Sequence, residues 1–298
     1  MKKILVIAIT LILTTSFISL HKISRTKPIY DSEYVEISTV HYKGEQYNVI
    51  SMRREGNKIK AKYFATPDRL GKSVYNRYLD FKSKYKNIIL VSSGTYMDQS
   101  LTTPEGLTID NGIPVNETLI YGKMDALVIV QATGGVVVSN LVDGDLTLMD
   151  KCNNAPNRKF DIRNSTWDKD DFIEWAKCTE ATVFQTHLLV YKNQLKISSF
   201  NSSNKSQERR FLAVGKEDGE VKHVIVHCPA HSTLYEGAFK AFGFLTNFKG
   251  MEVTFMINLD TGYQDVFELY NRDGSLNKTI TGKEQLSRAV NLLTYYFQ

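Results

Sequence analysis

A carboxylate that ends an apolar strand is the residue in this sequence best placed to do chemistry. Glu252 to Asn258 is rich in Val, Phe, Met and Ile, and Asn258-Leu259-Asp260 closes it. A strand end lies at the rim of a sheet, where ligands bind and where a held carboxyl can act as general acid, general base or nucleophile. The plain alternative is a solvated turn aspartate. His223, His227 and His231 form a second candidate group. Their spacing of four would gather them on a helix, yet Val221 to His227 reads as a strand. Along a strand His223 and His227 stand about 13 Å apart on one face, too far for one metal ion. His227, Cys228 and His231 could still converge after Pro229; the expectation is ordinary sheet-face and loop histidines with no metal. The sequence has no CxxC pair, no G-x-S-x-G and no Walker or Rossmann pattern, and Gly134-Gly135 reads as a turn. No cofactor is expected.

The elements that must position these residues are short. Tyr34–Val40, Gln46–Met52 and Lys58–Phe64 have strand character, and Lys58, Lys60 and Lys62 alternate with Ile59, Ala61 and Tyr63 as one wet face. Thr66-Pro67-Asp68 opens a helix with Val74, Tyr78, Phe81 and Tyr85 on its buried stripe. Asn87–Ser92 is an apolar strand. Asp110-Asn111-Gly112 turns a hairpin, and Ala126–Gln131 and Val136–Leu141 follow. Asp150–Thr166 is polar and reads as a surface loop before a helix carrying Phe172, Trp175 and Ala176. Thr182–Tyr191 reads as one strand, with a hairpin over 211–226. Thr233-x-x-Glu236 caps a helix, and Thr281-x-x-Glu284 caps a last one with Leu286, Val290, Leu293 and Phe297 inward. Short strands with a few helices and no βαβ rhythm predict an α+β fold: a mixed, largely antiparallel sheet with flanking helices.

Charge excludes one class of partner. Lys and Arg exceed Asp and Glu by 37 to 32, but the excess is dispersed among acidic residues, so nucleic acid is not expected. Met1-Lys2-Lys3 before the apolar run Ile4–Leu20 is an export signal, either a cleaved signal peptide or an uncleaved anchor. Residues 1–26 are assigned to that segment and 27–298 to one domain on the outer side of the cytoplasmic membrane, periplasmic, secreted or anchored. The membrane is met only through the N-terminal segment. Of three cysteines, Cys152 and Cys178 are the most plausible pair in an oxidising compartment, leaving Cys228 over.

In order along the chain stand Ser93-Gly94-Thr95-Tyr96-Met97-Asp98, Pro104-Glu105-Gly106-Leu107 and Asp110-Asn111-Gly112. Then come Phe184-Gln185-Thr186-His187, Arg209-Arg210-Phe211-Leu212-Ala213-Val214-Gly215 with Glu217-Asp218-Gly219, and Ile257-Asn258-Leu259-Asp260-Thr261-Gly262. Taken together, the set resembles the phosphodiester glycosidase family. The resemblance implies an α+β domain that hydrolyses a sugar-phosphate diester. It implies Asp260 as acid/base or nucleophile, Arg210 as the phosphate partner, and Thr95, Asp98, Gln185 and Asn258 as substrate-binding residues. Several polar positions depart from the family pattern: Ser93 for Asn, His187-Leu188 for Gly-Pro, Phe211 with Arg210 beside it, and Thr261 for Gly, where only glycine lets a ligand approach backbone closely. Two function classes stay open. One is an exported hydrolase of a glycosyl phosphodiester or related envelope glycan. The other is an inactive relative that binds glycan or serves as an envelope scaffold. The hydrolase reading requires Asp260, Arg210, Thr95 and Gln185 around one concave pocket.

Overall fold

A pleated chain sends alternate side chains to opposite faces, and this parity decides what meets inside the protein. In the strand Gln207–Glu217, Leu212 enters a core shared by three sheets, while Phe211 and Ala213 pack on the other face against a helix. The computed structural model describes residues 24–25, 30–54, 58–65, 72–85, 87–144, 146–150, 152, 155–199, 204–283 and 285–298. The N-terminal apolar run and Thr66-Pro67-Asp68 lie outside them; the helix expected to open at Thr66 begins instead at Val74, with Ser73 as its N-cap.

Among the described residues every strand pairing is antiparallel. The first sheet has nine strands, with Val35–Tyr42, Glu45–Arg53, Glu220–Ser232, Gln207–Glu217, Glu252–Leu259 and Leu188–Tyr191 in that order across its body. The second runs Val136–Asn140, Ala126–Val130, Thr182–Thr186, Thr108–Asp110, Ile113–Asn116. The third runs Leu276–Thr281, Val266–Tyr270, Ile88–Ser92, Leu292–Phe297, Ile59–Phe64. Ile50, Ile225 and Ile257 from the first sheet, Val128 and Phe184 from the second, and Leu90, Phe267 and Leu293 from the third share one core. Each outer face carries one helix. Helix α1 (Val74–Lys84) covers the third sheet through Val74 and Tyr78, and α2 (Thr166–Cys178) covers the second through Phe172 and Ala176. Helix α3 (Leu234–Asn247) covers the first through Leu234, Ala238, Ala241 and Phe244. Its N-terminus is closed by the Thr233/Glu236 capping box that the sequence pattern predicts.

Four expectations need correction. Thr182–Tyr191 is not one strand: Thr182–Thr186 belongs to the second sheet and Leu188–Tyr191 to the first, with the chain crossing at His187. The last segment is not a helix. A 3₁₀ turn at Leu286–Arg288 precedes the strand Leu292–Phe297, which fills the slot between Ile88–Ser92 and Ile59–Phe64. Leu293 and Tyr295 enter the shared core at a spacing of two, and an aromatic-rich run suits a pleated surface. Glu284 of the expected cap lies outside the described residues. The polar stretch after Asp150 contains a second hairpin strand, Ala155–Phe160, paired with Leu146–Asp150. Lys60 is not on a wet face: the Gly134 turn closes over it, and a Cβ at Gly134 would meet the Lys60 Cβ at 2.7 Å. Cys152 and Cys178 form the expected disulfide, tying that hairpin to the end of α2, and Cys228 is a buried free thiol.

Candidate functional site

Three strand ends, one from each sheet, converge on Asp260. The Asp260 amide donates to the carbonyl of Gly94, just past the strand Ile88–Ser92 of the third sheet (3.0 Å). Two residues earlier, Asn258 N–H donates to the carbonyl of His187 at the crossing between the other sheets, and the Thr186 hydroxyl donates to the Asn258 carbonyl (2.8 Å). Gly94 must be glycine here: a Cβ would stand 2.6 Å from the Tyr63 ring and 2.9 Å from Asn291 Oδ1, which accepts the Gly94 and Thr95 amides. One backbone bond at Asp260 and two bonds at Asn258, one of them from the Thr186 hydroxyl, hold this strand end.

A cavity of about 300 Å³ opens at this junction, lined by Asp260, Tyr96, His187, Lys205, Gln207 and Arg209, with Leu101, Leu234 and Tyr263 among its walls. Asp260 is 5% exposed and accepts the Gly262 amide at Oδ1 (2.9 Å). Burial, and then the nearby Asp265 charge, push its carboxyl up to about 6, against the pull of the Gly262 amide, Arg210 and Lys205. His187 packs edge-on to Tyr96, and its Nδ1 is buried with no hydrogen-bond partner among the described residues. Burial, then Lys123 and Arg209, push its imidazole down to about 4. The Tyr96 hydroxyl accepts from Asn258 Nδ2, and burial followed by the Asp260 charge raises its pKa. Arg209 is held by carbonyls, with Nε donating to Ser232 O (3.0 Å) and Nη2 to Lys205 O (2.5 Å). Between about pH 4 and 6 the cavity thus presents a protonated carboxyl, a neutral imidazole and fixed cations.

Of the four residues that the hydrolase reading requires around one pocket only Asp260 lines this cavity, so that requirement is not met and any catalytic reading beyond Asp260 must rest on other side chains. Asn258 stands behind the cavity through Tyr96. Thr95 is fully buried and donates to the Gln185 carbonyl, bracing the junction. Gln185 is also fully buried: its side chain donates to the carbonyls of Ile120 and Met124 and accepts the amides of Leu107 and Ile120. Asp98 organises its own loop, accepting from Ser100, Thr102 and Thr103, which brings its carboxyl down to about 2. Arg210, expected as the phosphate partner, does not line this cavity. It is 0% exposed, pairs with Asp265 and donates to Ser92 and Val266, on the face opposite Arg209. Thr261, where glycine is the family pattern, donates to the Glu208 carbonyl (2.6 Å) and accepts from Gln207, so its hydroxyl fastens the edge of the site.

The residues that sequence reasoning did not place in the site are His187, Arg209, Lys205 and Tyr96. His187 appears in the sequence as an interruption of an apolar run and as a departure from the Gly-Pro of the resembled family, neither of which gives it a role. The Arg209-Arg210 pair shows that one arginine faces each side, but not which side carries the cavity. Elsewhere, His223 bonds Tyr295 (3.0 Å), and His227 is bridged between Asn48 and Glu208 (2.9 Å each). Among the described residues no three His, Cys, Asp or Glu side chains are grouped to hold a metal ion, and no helix is long and apolar enough to cross a membrane.

No family model matches the chain, and no curated protein matches it. Among solved structures it is similar to the catalytic domain of zebrafish N-acetylglucosamine-1-phosphodiester alpha-N-acetylglucosaminidase, auto-inhibited by its pro-peptide. Identity is 14% and the TM-score 0.49, covering 93% of this chain and 88% of that one. A hypothetical protein from Synechocystis is similar at 10% identity and a TM-score of 0.43, covering 90% of this chain and 63% of the other.

Proposed function

We propose that this chain is an exported hydrolase of glycosyl phosphodiesters with Asp260 as its general acid. The observation that carries the reading is a rigid, buried carboxyl facing a cavity that also presents Arg209, Lys205 and a neutral His187. The cations suit a phosphodiester, whose single charge needs a charge-assisted partner. Asp260 gives its proton to the bridging oxygen as the bond from the anomeric carbon to that oxygen breaks. His187 takes a proton from the water that adds to the anomeric carbon, and the phosphate monoester leaves. Among the described lining residues Asp260 is the only carboxylate, so a paired-carboxylate mechanism has no second partner here. Export is supported by the Lys2-Lys3 start with its apolar run and by the Cys152–Cys178 disulfide, which persists in oxidising compartments.

The test is a hydrolysis screen of the full-length chain in mild detergent against sugar 1-phosphodiesters, with binding followed by calorimetry. Release of free sugar, lost in Asp260→Asn, is the expected result. Binding without turnover would favour a glycan-binding protein, and neither binding nor turnover would overturn the reading.

A further inference from the structure

The chain enters the described fold along one edge of the first sheet. Ser24–Arg25 pairs with His41 and Val40 of the strand Val35–Tyr42. His21, Lys22 and Ile23 alone separate Ser24 from the apolar run Ile4–Leu20. The four residue steps from Leu20 to Ser24 span at most about 14 Å, so a run held in a bilayer keeps this sheet edge at the membrane surface. Of the three outer helices, α3 is the one that covers this sheet. It also leans on the same edge. Tyr42 packs its ring against Phe244 (5.9 Å between centroids) and Phe248 (5.5 Å), and Lys240 reaches Glu45 of the next strand (2.7 Å).

The outward side of α3 is aromatic where a solvated helix is polar. Phe239 is 59% exposed, and Tyr235, one turn earlier, stacks on it (6.2 Å, 25° between planes). Phe242, three residues on and half-buried, continues the patch. Lys43 and Lys240, both exposed, add positive charge toward the sheet edge. From this arrangement we infer that the outward face of α3 is a membrane-docking surface: Phe239 and Tyr235 enter the headgroup layer of the bilayer that holds the N-terminal run, with Lys43 and Lys240 at lipid phosphates. The inference takes that run as an uncleaved anchor and does not depend on the phosphodiester reading.

The chemistry selects lipid as the occupant. A tyrosine ring with an apolar body and a polar tip suits the boundary between water and acyl chains. Long lysine stems carry their charge to the phosphates above it. One exposed phenylalanine binds a bilayer weakly by itself, but the anchor makes the contact intramolecular and raises its effective concentration. Three aromatic side chains fall short of a stable protein interface, which takes about 20–30 residues a side. Leu234, at the start of α3, also lines the Asp260 cavity, so docking sets that cavity at one end of the membrane-held helix.

The experiment places a nitroxide on Gly243→Cys of the full-length chain, reconstituted in vesicles of phosphatidylethanolamine and phosphatidylglycerol. Gly243 lies one turn beyond Phe239 on the same face, and a Cβ there meets only Asn247 Nδ2, at 3.8 Å. Cys228 does not compete for the label: it is buried, and burial pushes its thiol up to about 12. A nitroxide on Trp167→Cys, 83% exposed on α2, is the control. The label at 243 is expected to be reached by oxygen from the bilayer and screened from an aqueous nickel chelate, with the reverse at 167. Adding Phe239→Ser and Tyr235→Ser should return 243 to the chelate access of 167; Phe239→Ser decides alone if the pair lowers the melting temperature. Equal chelate access at 243 and 167 in the chain that keeps both aromatics, or screening that survives their loss, would overturn the docking surface. Screening from both reagents with spin–spin broadening would put a second copy on α3 and overturn it as well.

Discussion

Arg210 and Asp265 form an ion pair at 2.8 Å with side chains 0% and 2% exposed, and both charges act on Asp260. The guanidinium also lies over Phe267, 4.1 Å from the ring centroid. A buried pair is costly to break because the survivor keeps its charge without a partner. Arg210→Met should therefore destabilise the protein by about 3–5 kcal/mol in denaturant unfolding. It should also raise the Asp260 pKa, since one attractive charge is lost and Asp265 remains. A loss under 1 kcal/mol would mean that the pair is not the buried strut described here.

Arg209 is expected to behave in the opposite way. It stands one residue away on the cavity face, so Arg209→Met should weaken phosphodiester binding by at least about tenfold. The stability cost should be about 1–3 kcal/mol, because the Ser232 and Lys205 carbonyls lose their donor. Binding unchanged in Arg209→Met but lost in a folded Arg210→Lys would restore Arg210 to the ligand.

This pair also marks how far sequence carries. Apolar periodicity placed α2, α3 and most strands, because a buried stripe must repeat at the period of its element. Asp260 was legible because it ends an unmistakably apolar strand. Arg209 was not, because parity distinguishes two faces without saying which one opens to solvent. His187 was hidden because Val183-Phe184 and Leu188-Leu189-Val190 read as one continuous run, while the sheet change between them depends on pairings far along the chain. The C-terminal strand was misread for a related reason: Leu286, Val290, Leu293 and Phe297 happen to fit a helical stripe, and only the open slot in the third sheet decides otherwise.

Acid should destabilise the fold below about pH 6.5. The imidazoles of His187 and His227 are pushed down to about 4 and that of His223 to about 3, in each case first by burial. Folded-state values below the ordinary 6.5 mean that the unfolded chain binds protons the native state refuses, so stability falls as pH falls through this window. Asp260 and Asp265 are raised and act in the opposite sense, holding protons in the fold that the unfolded chain has lost. Three lowered imidazoles against two raised carboxyls leave a net fall in stability as pH drops from about 6 toward 4. His223→Phe should flatten the slope. Stability that is level from pH 7 to 4 would contradict the neutral, buried imidazoles.

The disulfide and the shared core make a joint prediction. Cys152 and Cys178 close a loop with a sequence separation of 26, for which chain entropy gives about 3.5 kcal/mol. A Cys152→Ser/Cys178→Ser variant should lose that amount, and a reporter fused to residues 1–32 should be active only outside the cytoplasm. Since side chains of all three sheets meet in one core, heating should give a single cooperative transition. Two separated transitions would divide the chain into two domains, and a reporter active in the cytoplasm would remove the export assignment.

The remaining prediction concerns Asp260 itself. As general acid it must be protonated, and as general base His187 must be neutral. Activity should therefore fall as pH rises through about 6, where Asp260 ionises, and as it drops through about 4, where His187 protonates. The optimum lies near pH 5, between those two values. Asp260→Asn keeps the shape, retains an acceptor for the Gly262 amide and removes the transferable proton. It should cost about 10²–10⁴-fold in turnover. Thermal stability above pH 6 should be unchanged or slightly higher, because a buried carboxylate charge is gone. His187→Gln should remove the acidic limb of the profile, and Asp260→Asn the basic one. Turnover that survives Asp260→Asn with its basic limb intact would assign the proton to another group, with Tyr96, already in the cavity wall, the first to test.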